Sequence, residues 1–226
     1  IKARLESDSD VNRRAAQETG CELEPMRRFL ARRNIPALVE SIREASVRAG
    51  RIVSSMLEFS RKSDSSNAPS DLGDVLDRAV ELCSTDYDLR KRYDFRHIRI
   101  IRDYDRELPA VRCSRTQIEQ VALNLLRNAA QATAKGSSDG EKPWIRLSTR
   151  VEGGMAVIEV EDNGPGMDEE VRRKAFEPFF TTKPVGEGTG LGLSVSYFIV
   201  VNNHSGTFEV ESPAGKGAKF TIRLPF

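Results

Sequence analysis

Three blocks of this sequence carry residue types and spacings that could do chemistry. Asn124 and Asn128 lie four apart within Asn124-Leu125-Leu126-Arg127-Asn128-Ala129, so on a helix their amide oxygens share one face. Oxygen donors suit Mg²⁺, a hard cation that keeps several waters beside substrate phosphates. A pair of solvated helix asparagines would look the same, although Asn is a poor residue for a helix interior. The second block is Asp162-Asn163-Gly164-Pro165-Gly166-Met167. Strand alternation puts Ala156, Ile158, Val160 and Asp162 on one side, so the carboxylate ends a core-facing row. An inward carboxylate is expensive unless something donates to it. An adenine amino group would, and Gly164 and Gly166 would leave room for a base. Asp-Asn-Gly-Pro-Gly is equally the chemistry of a β-turn. The third block, Gly188-Thr189-Gly190-Leu191-Gly192, runs into Leu193–Val201. Backbone N–H groups at such a helix start attract phosphate. The block is neither a P-loop nor GxGxxG, and the apolar run Val195–Val201 could instead be a strand. In this order, the three blocks read as a nucleotide site.

The elements that must position them follow from periodicity. Residues 115 to about 133 read as a helix burying Ile118, Val121, Ala122, Leu125 and Ala129. Short strands are expected near Ile98–Ile101 and over Ile145–Val151, with Gly153-Gly154 turning into a strand over Ala156–Asp162. A last hairpin pairs Thr207–Glu211 with Lys219–Leu224 around Pro213-Ala214-Gly215-Lys216-Gly217. Helices cluster between strands without strict alternation, which argues an α+β fold with helices on one face of a mixed sheet. This part opens at Ser70-Asp71, an N-cap signal for a helix through Leu72, Val75, Leu76, Ala79 and Leu82. Before it lies a linker, Ser63 to Pro69, taken as the domain boundary. Further upstream, Leu23, Met26, Phe29 and Leu30 fit a short amphipathic helix over 22–33, and Pro36 suits the start of a longer one. That helix carries Leu38, Ile42, Ala45, Ala49, Val53, Met56 and Phe59 at about 3.5 to 3.6 residues per turn and ends at Arg61-Lys62. So narrow a stripe on a charged rod wants a partner helix.

Composition narrows the function classes. A net charge of +1 gives no push toward nucleic acid or an anionic membrane. No apolar run reaches about 18 residues, so no membrane contact is expected from this segment. Cys21, Cys83 and Cys113 are odd in number and far apart. They favour reduced thiols in a cytoplasmic setting over a disulfide frame or a zinc site. Residues 1–20 are polar, resemble no signal peptide and suggest a chain cut from something longer.

A fourth block, Phe176-Glu177-Pro178-Phe179-Phe180-Thr181-Thr182-Lys183, completes a pattern. With the other three, in this order and spacing, residues 70–226 resemble the ATP-binding domain of two-component sensor histidine kinases, whose N, G1, F and G2 boxes they match. Met56 to Lys62 resembles the second helix of that family's dimerisation and phosphotransfer domain. The resemblance implies a Bergerat-type α/β sandwich over 70–226, preceded over 1–66 by part of a helical-hairpin dimerisation domain. It implies ATP and Mg²⁺ as cofactors, and a homodimer through the helical segment. A response-regulator receiver domain would be the downstream partner. Asp162 would receive the adenine amino group, Asn128 would bind Mg²⁺ with Asn124 assisting, and Phe176 to Lys183 would begin a mobile lid with Lys183 near the terminal phosphates. Gly164, Gly166, Gly188, Gly190, Leu191 and Gly192 would complete the cofactor site.

Two departures matter. The family phosphorylates a histidine followed by an acidic residue, and no such pair exists here; the only histidines are His97 and His204. Neither is on a dimerisation helix, so the acceptor is expected upstream of Ile1 and this fragment is expected not to phosphorylate itself. Ala218 stands where many relatives carry Thr, a lost hydroxyl near the base. The related gyrase and MutL ATPases place a Glu one turn before the metal Asn to activate water. Here that position is Asn124, an amide without a basic pKa, which suits a kinase that must spare the phosphoryl group. The main reading is an ATP-dependent protein-histidine kinase core. The alternatives are a nucleotide-binding regulatory module and a gyrase- or MutL-like ATPase.

Overall fold

The structure, a computed structural model, describes residues 10–43, 45–46, 50, 67–85, 94–134, 136, 141–184 and 188–226. Ala49, Val53, Met56 and Phe59 of the apolar stripe, its end at Arg61-Lys62, the linker residues 63–66 and Gly186 lie outside them. The chain divides into two compact units, Ile1–Met56 with Lys183–Gly188, and Leu57–Thr182 with Thr189–Phe226.

The first unit is helical. Helix α1 (Asp10–Thr19) lies in the polar stretch where no helix was marked by periodicity. It ends at Gly20, whose φ of +64° lets Cys21 N–H reach back to Ala16 O at 3.0 Å, the left-handed stop that glycine allows. Helix α2 (Leu23–Arg32) matches the expected amphipathic segment. Asn34, at φ +56°, turns the chain, and its carbonyl accepts from Leu38 N–H at 3.1 Å as residues 35–43 continue helical. Phe29, Leu38 and Ile42 remain 63%, 53% and 66% exposed.

The second unit contains a mixed sheet. Strands β1 (Ala68–Ser70) and β3 (Val111–Cys113) form a small antiparallel pair of their own. Ala68 and Pro69, which read as linker, and Ser70, which read as a cap, are therefore strand residues. Helix α3 (Leu72–Thr85) is capped by Asp71 alone, whose Oδ1 accepts from Gly73 N–H at 2.8 Å and Asp74 N–H at 3.2 Å. The main sheet has the order β2-β4-β5-β7-β6. Its strands are β2 (Arg99–Tyr104), β4 (Trp144–Glu152), β5 (Met155–Asp162), β6 (Thr207–Glu211) and β7 (Ala218–Pro225). Only β2 and β4 are parallel. Gly153 and Gly154, at φ +60° and +77°, make the two-residue turn that joins β4 to β5, the double positive φ that type I′ hairpins require.

Alternation sorts the faces. Ile145, Leu147, Ile158, Val160, Phe220 and Ile222 are buried on the side covered by α3 and α4 (Arg115–Thr133). The opposite face carries cross-strand ion pairs, among them Arg150–Glu159 at 2.7 Å, Arg146–Glu161 at 2.9 Å and Arg223–Glu209 at 2.7 Å. A half-solvated antiparallel sheet takes this pattern. The run after the glycines is helical: α5 (Glu169–Lys174) precedes it, and α6 (Gly192–Phe198) continues as a π-helix over Ile199–Asn203.

Candidate nucleotide site

Asp162 is the last residue of β5 and is 4% exposed. Burial pushes its carboxyl up to about 6, and Glu161 adds to this; Gly164 N–H and Ala218 N–H, which donate to it, pull it partly back. The Gly164 bond to Oδ1 is 2.8 Å. Among the described residues no cation pairs with this carboxylate, so its remaining acceptor capacity suits a neutral donor.

The two glycines that follow do different jobs. A Cβ on Gly164 would lie 2.8 Å from Asp162 Oδ1 and 2.9 Å from Ala132 Cβ, so this glycine lets the strand end close against α4. Gly166, at φ +71°, faces the β6–β7 turn, where a Cβ would sit 2.3 Å from Pro213 O. That space is filled by backbone, not held open for a base. Asn163, 2% exposed, is spent on structure: its Oδ1 accepts from Trp144 N–H at 2.9 Å and its Nδ2 donates to Lys142 O at 3.0 Å.

Helix α4 brings the blocks together. Asn124, Asn128 and Ala132 follow at i, i+4 and i+8, on one face. Gly164 packs at Ala132, and Gly192 packs at Asn124, where a Cβ would meet Asn124 Cγ at 3.7 Å. Asn124 Nδ2 donates to Gly192 O at 3.3 Å and to Ser196 Oγ at 3.2 Å. This leaves its Oδ1 for another donor or a cation. Asn128, half-buried, stands midway between the two contacts, which lie about 12 Å apart along the helix axis. Neutral amide oxygens fit Mg²⁺ where phosphates and water supply the other ligands; among the described residues no cluster of acidic, His or Cys side chains offers a different cation site.

The segment before the glycine run is anchored by its own ring. Phe176 packs with its ring tilted against Phe208 at 4.9 Å and Tyr197 at 5.4 Å, centroid to centroid. Phe179, at φ +68°, donates its N–H to Gly190 O at 2.9 Å. A Cβ on Gly190 (φ +66°) would lie 2.3 Å from Phe179 C. The stems on either side of residues 180–189 are therefore stapled backbone to backbone. Leu191 is buried just beyond. Lys183 and Gly188 belong to the other compact unit and are not brought into one unit with these residues.

Neither histidine is near such a task. His97 closes a 3₁₀ turn and is exposed, its Nδ1 3.6 Å from the Asp94 carboxylate. His204 is buried; its Nε2 accepts from Ser114 N–H at 3.0 Å and its Nδ1 donates to Ile199 O at 2.8 Å.

Ser196 and Ser212, both buried, belong to none of the four sequence blocks. Ser196 had a faint signal, a polar residue inside an apolar run. Ser212 had none beyond its place between a strand and Pro213.

Residues 113–226 match the family of histidine kinase-, DNA gyrase B- and HSP90-like ATPases, and the chain belongs to that family. Within it, the relatives are sensor kinases, and the chain carries an ATP-binding domain of the two-component histidine kinase type. The signal transduction histidine-protein kinase AtoS of Escherichia coli (strain K12) is 37% identical over 77% of this chain and 26% of its own length. The sensory histidine kinase/phosphatase NtrB of Rhizobium leguminosarum bv. phaseoli is 34% identical over 84% of this chain and 49% of its own. The chain thus spans between a quarter and a half of these two relatives. Among solved structures, the catalytic domain of histidine kinase ThkA superposes with a TM-score of 0.57 at 31% identity, covering 70% of this chain and 94% of that one. Full-length ShkA in complex with AMPPNP gives 0.65 at 26% identity, covering 84% of this chain and 38% of ShkA. The mixed sheet with its helices is the fold of these kinase catalytic domains.

Proposed function

We propose that residues 70–226 bind Mg-ATP along helix α4 as the phosphoryl donor of a protein-histidine kinase, with residues 1–66 as part of its dimerisation domain. One observation carries the reading: a single helix face holds the buried-carboxylate loop at Ala132, the glycine turn at Asn124, and Asn128 between them. A nucleotide laid along that face puts its base against Asp162 and its phosphates at the start of α6, whose first N–H groups have no intrahelical partner. The adenine amino group donates to the Asp162 carboxylate. Asn128, with Asn124 Oδ1 beside it, would hold Mg²⁺, which supplies charge neutralisation at the phosphates when bound. Gly190, Leu191 and Gly192 bring backbone to the phosphates, with Phe176 anchoring the segment before them.

The related nucleotide complex of ShkA supports ATP as ligand. Asn124 supports transfer over hydrolysis, because an amide whose Nδ2 is engaged by Gly192 O and Ser196 Oγ does not deprotonate water. The kinase acts as a homodimer in the cytoplasm, passes its phosphoryl group to a response-regulator receiver domain, and takes its acceptor histidine from outside residues 1–226. Calorimetric titration of the chain with Mg-ATP tests the site. Binding is expected, and Asp162→Ala should weaken it by about five- to a hundredfold, the cost of an unpaired buried donor. Undiminished binding by that variant overturns the assignment.

A further inference from the structure

The loop that follows Asp162 is held from the far side by a turn to which the proposed function gives no task. Ser212, at the exit of β6, is 5% exposed, and its hydroxyl is used twice. Oγ–H donates to Gly217 O at 2.8 Å, and the oxygen accepts from Met167 N–H at 2.9 Å. Gly215 N–H adds a bond to Pro165 O at 2.7 Å. The turn and the loop interlock so closely that only glycine fits on either side. A Cβ on Gly217, at φ +77°, would lie 1.9 Å from Asp162 O, and one on Gly166 would lie 2.3 Å from Pro213 O.

The Gly217 carbonyl belongs to the same peptide group as the Ala218 N–H, whose partial positive charge helps to hold the Asp162 carboxyl down. A continuous path therefore runs from the Ser212 hydroxyl through the Gly217–Ala218 peptide to the carboxylate. Hydrogen bonds in such a chain polarise one another, and the donor at the far end strengthens. The sheet register sets this peptide beside Asp162, because Ala218 pairs directly with it.

We infer that Ser212 is a positioning residue for nucleotide binding: it orients and polarises the Gly217–Ala218 peptide that lies beside Asp162, and it pins the Asp162–Met167 loop through Met167 N–H. This rests on the proposed role of Asp162 as the receiver of the base. With the hydroxyl gone, the peptide plane is free to tilt and Met167 N–H loses its buried acceptor. The carboxylate keeps its charge less readily, and the base meets a poorer acceptor.

The test uses the whole chain and follows Mg-ATP affinity from pH 5 to pH 8 for the parent, Ser212→Ala, Ser212→Cys and Ser212→Thr. Loss of one neutral bond of this kind corresponds to about a three- to tenfold change in affinity. Ser212→Ala is expected to weaken ATP by that factor and to move the pH midpoint of binding upward, with Ser212→Thr restoring both. Ser212→Cys conserves volume and serves if the alanine protein does not fold. A purely structural serine would lower the melting temperature but leave the midpoint of the folded fraction unmoved; that result overturns the inference. Equal affinity and equal midpoint in Ser212→Ala overturn it as well, while leaving the parent's binding and the role of Asp162 intact. Absence of ATP binding by the parent at every pH would instead remove the reading on which the inference stands.

Discussion

Asp162 shows what a buried carboxylate costs and why the cost has a pH window. With its carboxyl raised from 3.8 to about 6, the folded nucleotide-free domain holds a proton there that the unfolded chain has already released. Its contribution to stability therefore falls as pH rises from about 4 to about 6 and stays low above that. Asp162→Ala removes that penalty together with the two backbone bonds. The variant's deficit in a denaturant melt is expected to be larger at pH 5 than at pH 8, by about 1.4 kcal/mol, one pKa unit of proton linkage. An equal deficit at both pH values would show that the carboxyl is not raised. In the proposed site binding runs the other way, because an adenine amino group needs the ionised acceptor. Mg-ATP affinity should drop about tenfold between pH 7 and pH 5 beyond whatever change Asp162→Ala shows. The position was readable from strand alternation alone: three apolar residues at i−6, i−4 and i−2 leave an acid at the end of a buried row. Its surroundings were not readable. Whether Gly166 makes room for a base or for Pro213 O depends on a turn about fifty residues away in sequence, and no local pattern carries that pairing.

At the scale of elements, strong periodicity was legible and weak periodicity was not. Helix α4 falls at Arg115–Thr133 because its apolar positions repeat over five turns. The Gly153-Gly154 turn sets the β4–β5 hairpin for a similar reason, since only one loop length joins two alternating runs there. Strand β1 is only three residues long. It contains Pro69, and its partner lies in β3, so nothing within Ser63–Ser70 marks it. The apolar run Val195–Val201 fits strand or helix on composition; Asn124, by donating to Gly192 O and Ser196 Oγ in the first turn of α6, favours the helix. The Phe179–Gly190 staple joins two such elements and makes a sharp prediction. Gly190→Ala sets a methyl 2.3 Å from Phe179 C at a φ of +66°, both overpacking and backbone strain, at a cost of about 1–3 kcal/mol. Because the staple closes the stems of residues 180–189, the loss should appear chiefly in binding of ATP and less in binding of adenosine. Calorimetry with both ligands checks this, and an equal loss for the two would mean that the staple supports the base end instead.

For the whole molecule, two predictions concern what the chain does with itself. Phe29, Leu38 and Ile42 are more than half exposed on the helical unit, and exposed large apolar side chains repeating along helices call for a partner. Ile42→Asp is expected to shift the chain from dimer to monomer in light scattering and to leave Mg-ATP affinity unchanged; a dimer that persists would place the interface elsewhere. Phosphoryl transfer is the stricter test. An acceptor imidazole must bring a nitrogen to about 3–3.5 Å from the γ-phosphorus, in line with the leaving oxygen. His204 has both ring nitrogens committed, and freeing Nε2 would strip Ser114 N–H, at the start of α4, of its buried acceptor. His97 precedes Arg99, which pairs with Trp144, while the next pair along, Ile145 with Asp162, marks the base end of the proposed site. It therefore stands at the base end, away from the Asn124–Gly192 end where the phosphates would lie. Incubated with Mg-ATP labelled at the γ-phosphate, residues 1–226 should bind nucleotide and take up no acid-labile label. Label mapped to His97 or His204 would overturn this geometry. Uptake of label by a longer chain carrying a histidine followed by an acidic residue, absent when that histidine is replaced, would complete the kinase reading, whereas free phosphate released without label would favour an ATPase.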